Sequence, residues 1–211
     1  MTSRIDINLP WWQLPIIVLD LEGTGAQHKE KEGIVEIAAI EIMNGQISSN
    51  SFYSLVNPEI AIPAKISQIH GLQNGDLIAE PIFELIKKPL LNFIDHKILL
   101  GHYISVDYRV LRLKMNDYEP ALILDTWKLA KFLFKDIKVS LDNLITHFDI
   151  ASNIKTSDNF RGRHSAFYDA SATALIFLEM MKHFDRNTTL KTIIEICSIE
   201  KEDSSKQGKL F

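Results

Sequence analysis

The stretch Ile16-Ile17-Val18-Leu19-Asp20-Leu21-Glu22-Gly23-Thr24-Gly25 reads as a strand that ends in chemistry. Four branched aliphatic residues in succession suit a strand buried on both faces. Two acids then follow with one residue between them. Side chains alternate along a strand, so Asp20 and Glu22 share a side and lie within reach of each other. Carboxylates held that close repel one another unless a positive charge lies between them. A divalent cation is the usual remedy, because hard cations take oxygen ligands. The Gly-Thr-Gly that follows offers a tight turn where a substrate backbone can approach closely. On its own, the same pattern also suits two surface acids on a strand running into solvent.

Outward from this strand, Ile34 to Ile42 and Ile47 to Val56 alternate as strands, joined across Met43-Asn44-Gly45-Gln46. Asn-Gly is a strong hairpin signal, so the first three strands form an antiparallel meander. Short helices are expected over Lys65 to Ile69 and Ser140 to Phe148, and a longer one from Pro81 to Phe93. Ile98 to Gly101 and Leu122 to Asp125 are short apolar strands. Each precedes a helical pattern, His102 to Met115 and Thr126 to Phe134. Ala166 to His183 carries the longest helical pattern, and Leu190 to Ile199 the last. Together these predict an α/β fold, a mixed five-stranded sheet flanked by helices. Residues 1–15 read as a lead-in whose Trp11 and Trp12 pack over the edge of the first strand or meet a partner. Residues 16–200 read as one domain and residues 201–211 as a flexible polar tail.

Composition narrows the function classes. Of 211 residues, 46% are hydrophobic and 24% charged, as in ordinary globular proteins. The formal net charge of −4 excludes a protein that coats duplex DNA through general basicity. Any nucleic acid must be gripped locally or presented to bound cations. Cys197 is alone, which excludes an internal disulfide and a multi-cysteine zinc site. No stretch approaches the ~20 apolar residues of a membrane span. No signal peptide is visible, so a cytoplasmic protein with no membrane partner is expected.

In open sheets, ligands sit beyond the carboxyl ends of the strands. Asp20 and Glu22 lie at such an end, and His102 and Asp107 follow another. Asp169 and His164 lie at the start of the long helix. Singly, Asp107 is more often a helix N-terminal acid favoured by the dipole, and His164 more often a surface or packed histidine.

In combination they are more specific. Asp20-Leu21-Glu22-Gly23-Thr24-Gly25, Gly101-His102-Tyr103-Ile104-Ser105-Val106-Asp107 and His164-Ser165-Ala166-Phe167-Tyr168-Asp169 resemble the three exonuclease motifs of the DEDD superfamily. The His-x-x-x-x-Asp spacing resembles its histidine branch, and the whole pattern is most similar to the epsilon-like proofreading group. The likeness runs from about Ile16 to Met181 and takes in Leu55-Val56-Asn57-Pro58, Ile69-His70-Gly71-Leu72, Asp125-Thr126 and Ser140-Leu141-Asp142-Asn143-Leu144. Tyr103 stands where this group commonly has Asn and Val106 where it commonly has Phe. Both departures touch substrate seating rather than chemistry.

The resemblance implies a ribonuclease-H-like fold and stepwise release of nucleotides from a 3′ end. It implies two divalent metal ions, Mg2+ or Mn2+, about 3.5–4 Å apart. Asp20 is expected to bridge them, Glu22 and Asp169 to complete one, and Asp107 to hold the other. His164 is expected to act as general base toward the attacking water, since imidazole titrates near neutral pH. Thr24, Gly25 and His102 are expected to seat substrate. Arg161 and Arg163, with Lys155 nearby, are candidate phosphate contacts or a solvated basic loop. The leading substrate is a DNA 3′ end in proofreading or repair, with RNA or short oligonucleotides as the alternative. An alternative of another class is a catalytically silent nucleic-acid-binding scaffold. Such proteins typically lose motif acids, whereas all four acids and the histidine are present.

A DNA polymerase or the sliding clamp is an expected partner. Gln207-Gly208-Lys209-Leu210-Phe211 resembles the short peptide by which bacterial replication and repair proteins grip the clamp, with Gln207, Leu210 and Phe211 as its contacts. Gly208 departs from the aliphatic residue usual at its position. The alternative is that Leu210 and Phe211 pack on their own domain or fray.

Overall fold

The computed structural model describes residues 5–25, 32–116 and 118–200. Five strands form one sheet: β1 (Ile16–Gly23), β2 (Ile34–Met43), β3 (Gln46–Leu55), β4 (Ile98–Gly101) and β5 (Leu122–Asp125). Their order is β3-β2-β1-β4-β5, with β2 antiparallel to both β1 and β3, and β1, β4 and β5 parallel. The helices are α1 (Ala64–His70), α2 (Asn74–Leu77), α3 (Phe83–Ile94), α4 (Ser105–Lys114), α5 (Thr126–Leu133), α6 (Leu141–His147), α7 (Ala166–Met181) and α8 (Leu190–Cys197). The mixed five-stranded sheet and its flanking helices match the sequence reading. Among the described residues, no helix is long and apolar enough to cross a membrane.

β1 is the central strand, which is why Ile16 to Leu19 carry no polar side chain and are all buried. Alternation divides its residues between two cores. Ile16 and Val18 join Leu100 and Leu124 against residues of α5 to α8, among them Leu129, Leu144, Phe177 and Ile193. Ile17 and Leu19 join Leu99 and Ile123 against Leu90 and Ile94 of α3 and Tyr108 and Leu111 of α4. Asp20 and Glu22 continue the even-numbered face, the one that α7 covers. Pairing between β1 and β4 runs only from Ile16 to Val18, so β1 projects past its parallel neighbour. That overhang leaves one edge of β1 open beside both acids.

The first helix after β4 starts later than the sequence suggested. His102 to Ile104 form a turn, Tyr103 has φ 63°, and α4 begins at Ser105. The Asp125 carboxylate at the end of β5 accepts from the Tyr103 N–H at 2.9 Å and the Trp127 N–H at 2.8 Å, fixing this turn and capping α5 together. α3 likewise starts at Phe83 rather than Pro81, because Ile82 is held extended by a parallel bridge to Asn57. The short α2 and the 3-10 turns Trp11–Gln13 and Ala151–Asn153 were not anticipated.

The lead-in is tied to the domain: Leu190 N donates to Leu9 O and Lys191 N to Ile7 O. Trp11 packs edge-on to Phe177 of α7 at 5.4 Å, and Trp12 Nε1 donates to Arg186 O. The pair therefore rests at the end of α7, in the same core as Ile16.

Candidate active site

Three elements converge at the overhang of β1. Asp20 and Glu22 come from the strand itself. Asp107 comes from the first turn of α4, and its Oδ1 accepts from the Leu21 N–H at 3.0 Å. That bond satisfies an N–H on the strand edge that β4 leaves open, and it ties the third acid to the residue between the first two. Asp169 comes from the first turn of α7 and is buried. His164 precedes α7 in a left-handed conformation, φ 63°, half exposed, with Nδ1 3.7 Å from Glu22 Oε1. The cleft around them, about 480 Å³, is also lined by His102, Tyr103, Val106, Trp127, Leu141 and Arg163.

Four carboxylates in so little water are costly to ionise together. Burial, and then the charges of Asp169, Asp107 and Glu22, push the Asp20 carboxyl well above its ordinary range. Burial, and then the charges of Asp169, Asp107 and Glu36, raise Glu22 to about 8. Burial raises Asp107 to about 7, against the opposing pull of the Leu21 N–H. Asp169 is raised by burial and held back by Arg163. The site is short of positive charge.

The donor set fits a hard divalent cation. Ligand atoms of Glu22, His164 and Asp169 all lie within 4.8 Å of one another, and oxygen donors with one imidazole suit such an ion. Among the described residues, the Lys or Arg side chain paired with these acids is Arg163. Its Nη1 donates to Asp169 Oδ1, and its Nε donates to Asp142 Oδ1 at 2.5 Å. Burial works against the Arg163 charge, yet Asp169 and Asp142 together raise its pKa.

The other expected residues have distinct settings. Thr24 is buried, and its Oγ1 accepts from the Gly33 N–H at 2.9 Å. Gly25 has φ 80°, a left-handed conformation that favours glycine, and a Cβ there would push Ile66 Cδ1 aside at 2.9 Å. His102 Nδ1 lies 2.9 Å from Thr126 Oγ1, and burial drives its pKa down to about 4, leaving a neutral ring in the cleft wall. Arg161 does not reach the cleft lining. Its Nη2 donates to Glu36 Oε2 at 2.5 Å and its Nε to His70 O at 3.0 Å. Its guanidinium is held on a buried acid, which ties the loop to β2.

Glu36 is the residue that sequence reasoning missed. Wholly buried in β2, it accepts from Arg161, from Tyr53 Oη at 2.8 Å and from the Ala166 N–H at 3.1 Å. It thereby fixes both ends of the segment carrying Arg163 and His164. The available signal was an acid inside the aliphatic run Ile34-Val35-Glu36-Ile37. Asp142 was also missed as a partner, because nothing local links it to Arg163 twenty-one residues on.

A family model described as Exonuclease matches residues 17–177. The chain belongs to the exonuclease family. The DNA polymerase III subunit epsilon of Rickettsia conorii is 32% identical over 173 residues, covering 78% of this chain and 73% of that one. Its counterpart from Aquifex aeolicus is 30% identical, covering 79% and 80%. Among solved structures, Exonuclease X in complex with 5′ overhanging duplex DNA superposes with a TM-score of 0.67 at 25% identity, covering 86% of this chain and 98% of that one. The nuclease domain of 3′hExo, a DEDDh family member bound to rAMP, shares the fold, with a TM-score of 0.65 at 13% identity over 85% and 96% of the two chains. This exonuclease has the ribonuclease-H-like architecture that the motifs implied.

Proposed function

We propose that this exonuclease removes nucleotides from the 3′ end of single-stranded DNA, in proofreading or repair, with two divalent ions, Mg2+ or Mn2+. The observation that carries the reading is the meeting of Asp20, Glu22, Asp107, Asp169 and His164 at the overhang of β1. The names of the relatives, subunits of a DNA polymerase and an exonuclease bound to DNA, favour DNA over RNA and a polymerase as partner.

Asp20, Glu22 and Asp169 would hold one ion, with Asp20 shared and Asp107 serving the second. Such ions neutralise the scissile phosphate, lower the pKa of water and stabilise the leaving 3′ oxygen. His164, exposed at the cleft edge, takes the proton from the attacking water and passes it to solvent. Asp107 keeps its carboxylate aimed through Leu21, and Glu36 fixes the loop that presents His164. His102, neutral and tied to Thr126, orients the wall beside Asp107 without adding charge.

The discriminating experiment degrades 3′-mismatched DNA and RNA of one sequence in Mg2+. DNA should be shortened stepwise, and Asp20→Ala should abolish the reaction. Preferential loss of RNA would move the substrate to RNA. Loss of neither strand at saturating metal would favour the binding scaffold.

Tethering to a sliding clamp through Gln207, Leu210 and Phe211 belongs to this reading on sequence alone, since those residues lie outside the described ones. Deleting residues 207–211 should remove clamp binding while sparing hydrolysis of free oligonucleotides.

A further inference from the structure

We propose that Arg163 is a placeholder for the metal's charge at Asp169, and that the cation which displaces it turns Arg163, still tethered by Asp142, into a phosphate contact at the cleft mouth. This rests on the metal-dependent reading above. The guanidinium donates to Asp169 Oδ1, and Arg163 and Asp169 both line the cleft. One guanidinium cannot balance four carboxylates. Asp20, Glu22 and Asp107 have no ion-pair partner from Lys or Arg among the described residues, so a doubly charged ion gains more there than Arg163 does.

The second anchor makes the exchange useful. Asp142 is 64% exposed and sits at the start of α6, on the outer side of Arg163. Arg163 released from Asp169 therefore keeps its Nε bond and stays at the rim, with Nη atoms turned to whatever anion enters. The backbone around it is built to permit small rearrangement. Gly162 has φ 109° with open space where a Cβ would stand, while Arg161 and Ala166 are fixed on Glu36 at either end. Arginine forks match phosphate geometry, and a guanidinium brought free by metal loading binds the strand only when the site is ready to cut it.

Two affinities test this, neither of them a rate. Mn2+ is titrated into chelator-stripped wild type, Arg163→Ala and Asp169→Asn, with free Mn2+ read by electron paramagnetic resonance. Removing the competitor should tighten Mn2+ binding about tenfold in Arg163→Ala, while Asp169→Asn should weaken it. A labelled single-stranded oligonucleotide with a 3′-terminal phosphorothioate is then titrated at saturating Mn2+. There Arg163→Ala should bind about tenfold more weakly than wild type. Asp142→Asn, at an exposed position that should not endanger folding, leaves Asp169 as the remaining anion for the guanidinium. Mn2+ should then bind more weakly than to wild type, and loss of the tether should weaken oligonucleotide binding as well. Equal Mn2+ affinity in wild type and both arginine-site variants overturns the placeholder while leaving the metal site intact. Equal oligonucleotide affinity overturns the phosphate contact. Mn2+ affinity indifferent to Asp169→Asn sinks the metal reading itself, and this inference with it.

Discussion

The Asp107 carboxylate accepts a 3.0 Å hydrogen bond from the backbone N–H of Leu21, the residue between the two acids of β1. One side chain thus completes a strand edge and supplies a charge to the site, and substitutions separate the two roles. Asp107→Asn keeps an oxygen acceptor and removes a desolvated charge. In chelator it should fold at least as stably as wild type, with exonuclease activity nearly lost. Asp107→Ala strands the Leu21 N–H and should be less stable than Asp107→Asn by about 1–3 kcal/mol. Urea denaturation of the pair checks this; equal stabilities would mean that the Leu21 bond contributes nothing.

The raised acids make metal-free stability fall with pH. A carboxyl whose pKa is higher folded than unfolded binds more protons in the native state, so the stability it contributes is full below the unfolded value and lost as pH rises through the folded one. For Glu22 that window runs from 4.5 to about 8, and for Asp107 from 3.8 to about 7. In chelator the urea midpoint should drop between about pH 5.5 and about pH 8. Glu22→Gln should flatten that slope, and saturating Mg2+ should remove most of it. A midpoint that rises over the same range would contradict the electrostatic account.

His164 tests the chemical step. His164→Ala should lower kcat on the order of 10²–10⁴-fold with KM little changed. Mn2+ affinity measured on the same protein should stay near wild type. Its parallel loss would make His164 a ligand, a role its proximity to Glu22 and Asp169 permits.

Glu36 is a structural prediction with a functional readout. Glu36→Ala leaves the largely buried Arg161 charge and the Ala166 N–H without their partner, and should destabilise the fold by about 3–5 kcal/mol. Glu36→Gln keeps acceptors for both and should cost less. Its kcat should still fall, because the segment bearing His164 loses an ionic anchor. Thermal melts and single-turnover rates on Glu36→Gln decide whether the clamp serves the site or only the fold.

The sequence by itself determined the frame of this protein and the identity of its chemistry. The apolar run Ile16 to Leu19 can be satisfied only at the centre of a sheet, and period-two alternation then puts Asp20 and Glu22 on one face. The strand–helix order placed Asp107 near that strand's end, because connections in such sheets are short and run in one sense. Asp169 was legible only through the likeness of the stretch from His164 to Asp169 to an exonuclease motif. These are local or near-local rules, and they are written in residue types.

Only the tertiary structure decided how the charges are shared. Arg161 and Arg163, two residues apart and chemically identical, have opposite surroundings: one is buried on Glu36, the other spans Asp169 and Asp142. Their partners lie 125 residues away for Arg161, and 6 and 21 residues away for Arg163. No local pattern records such pairings. The turn that holds Tyr103 at φ 63° depends in the same way on Asp125, a residue of another strand. An ion pair depends on distance in space, and that distance exists only once β2, α6 and α7 have packed around the overhang of β1.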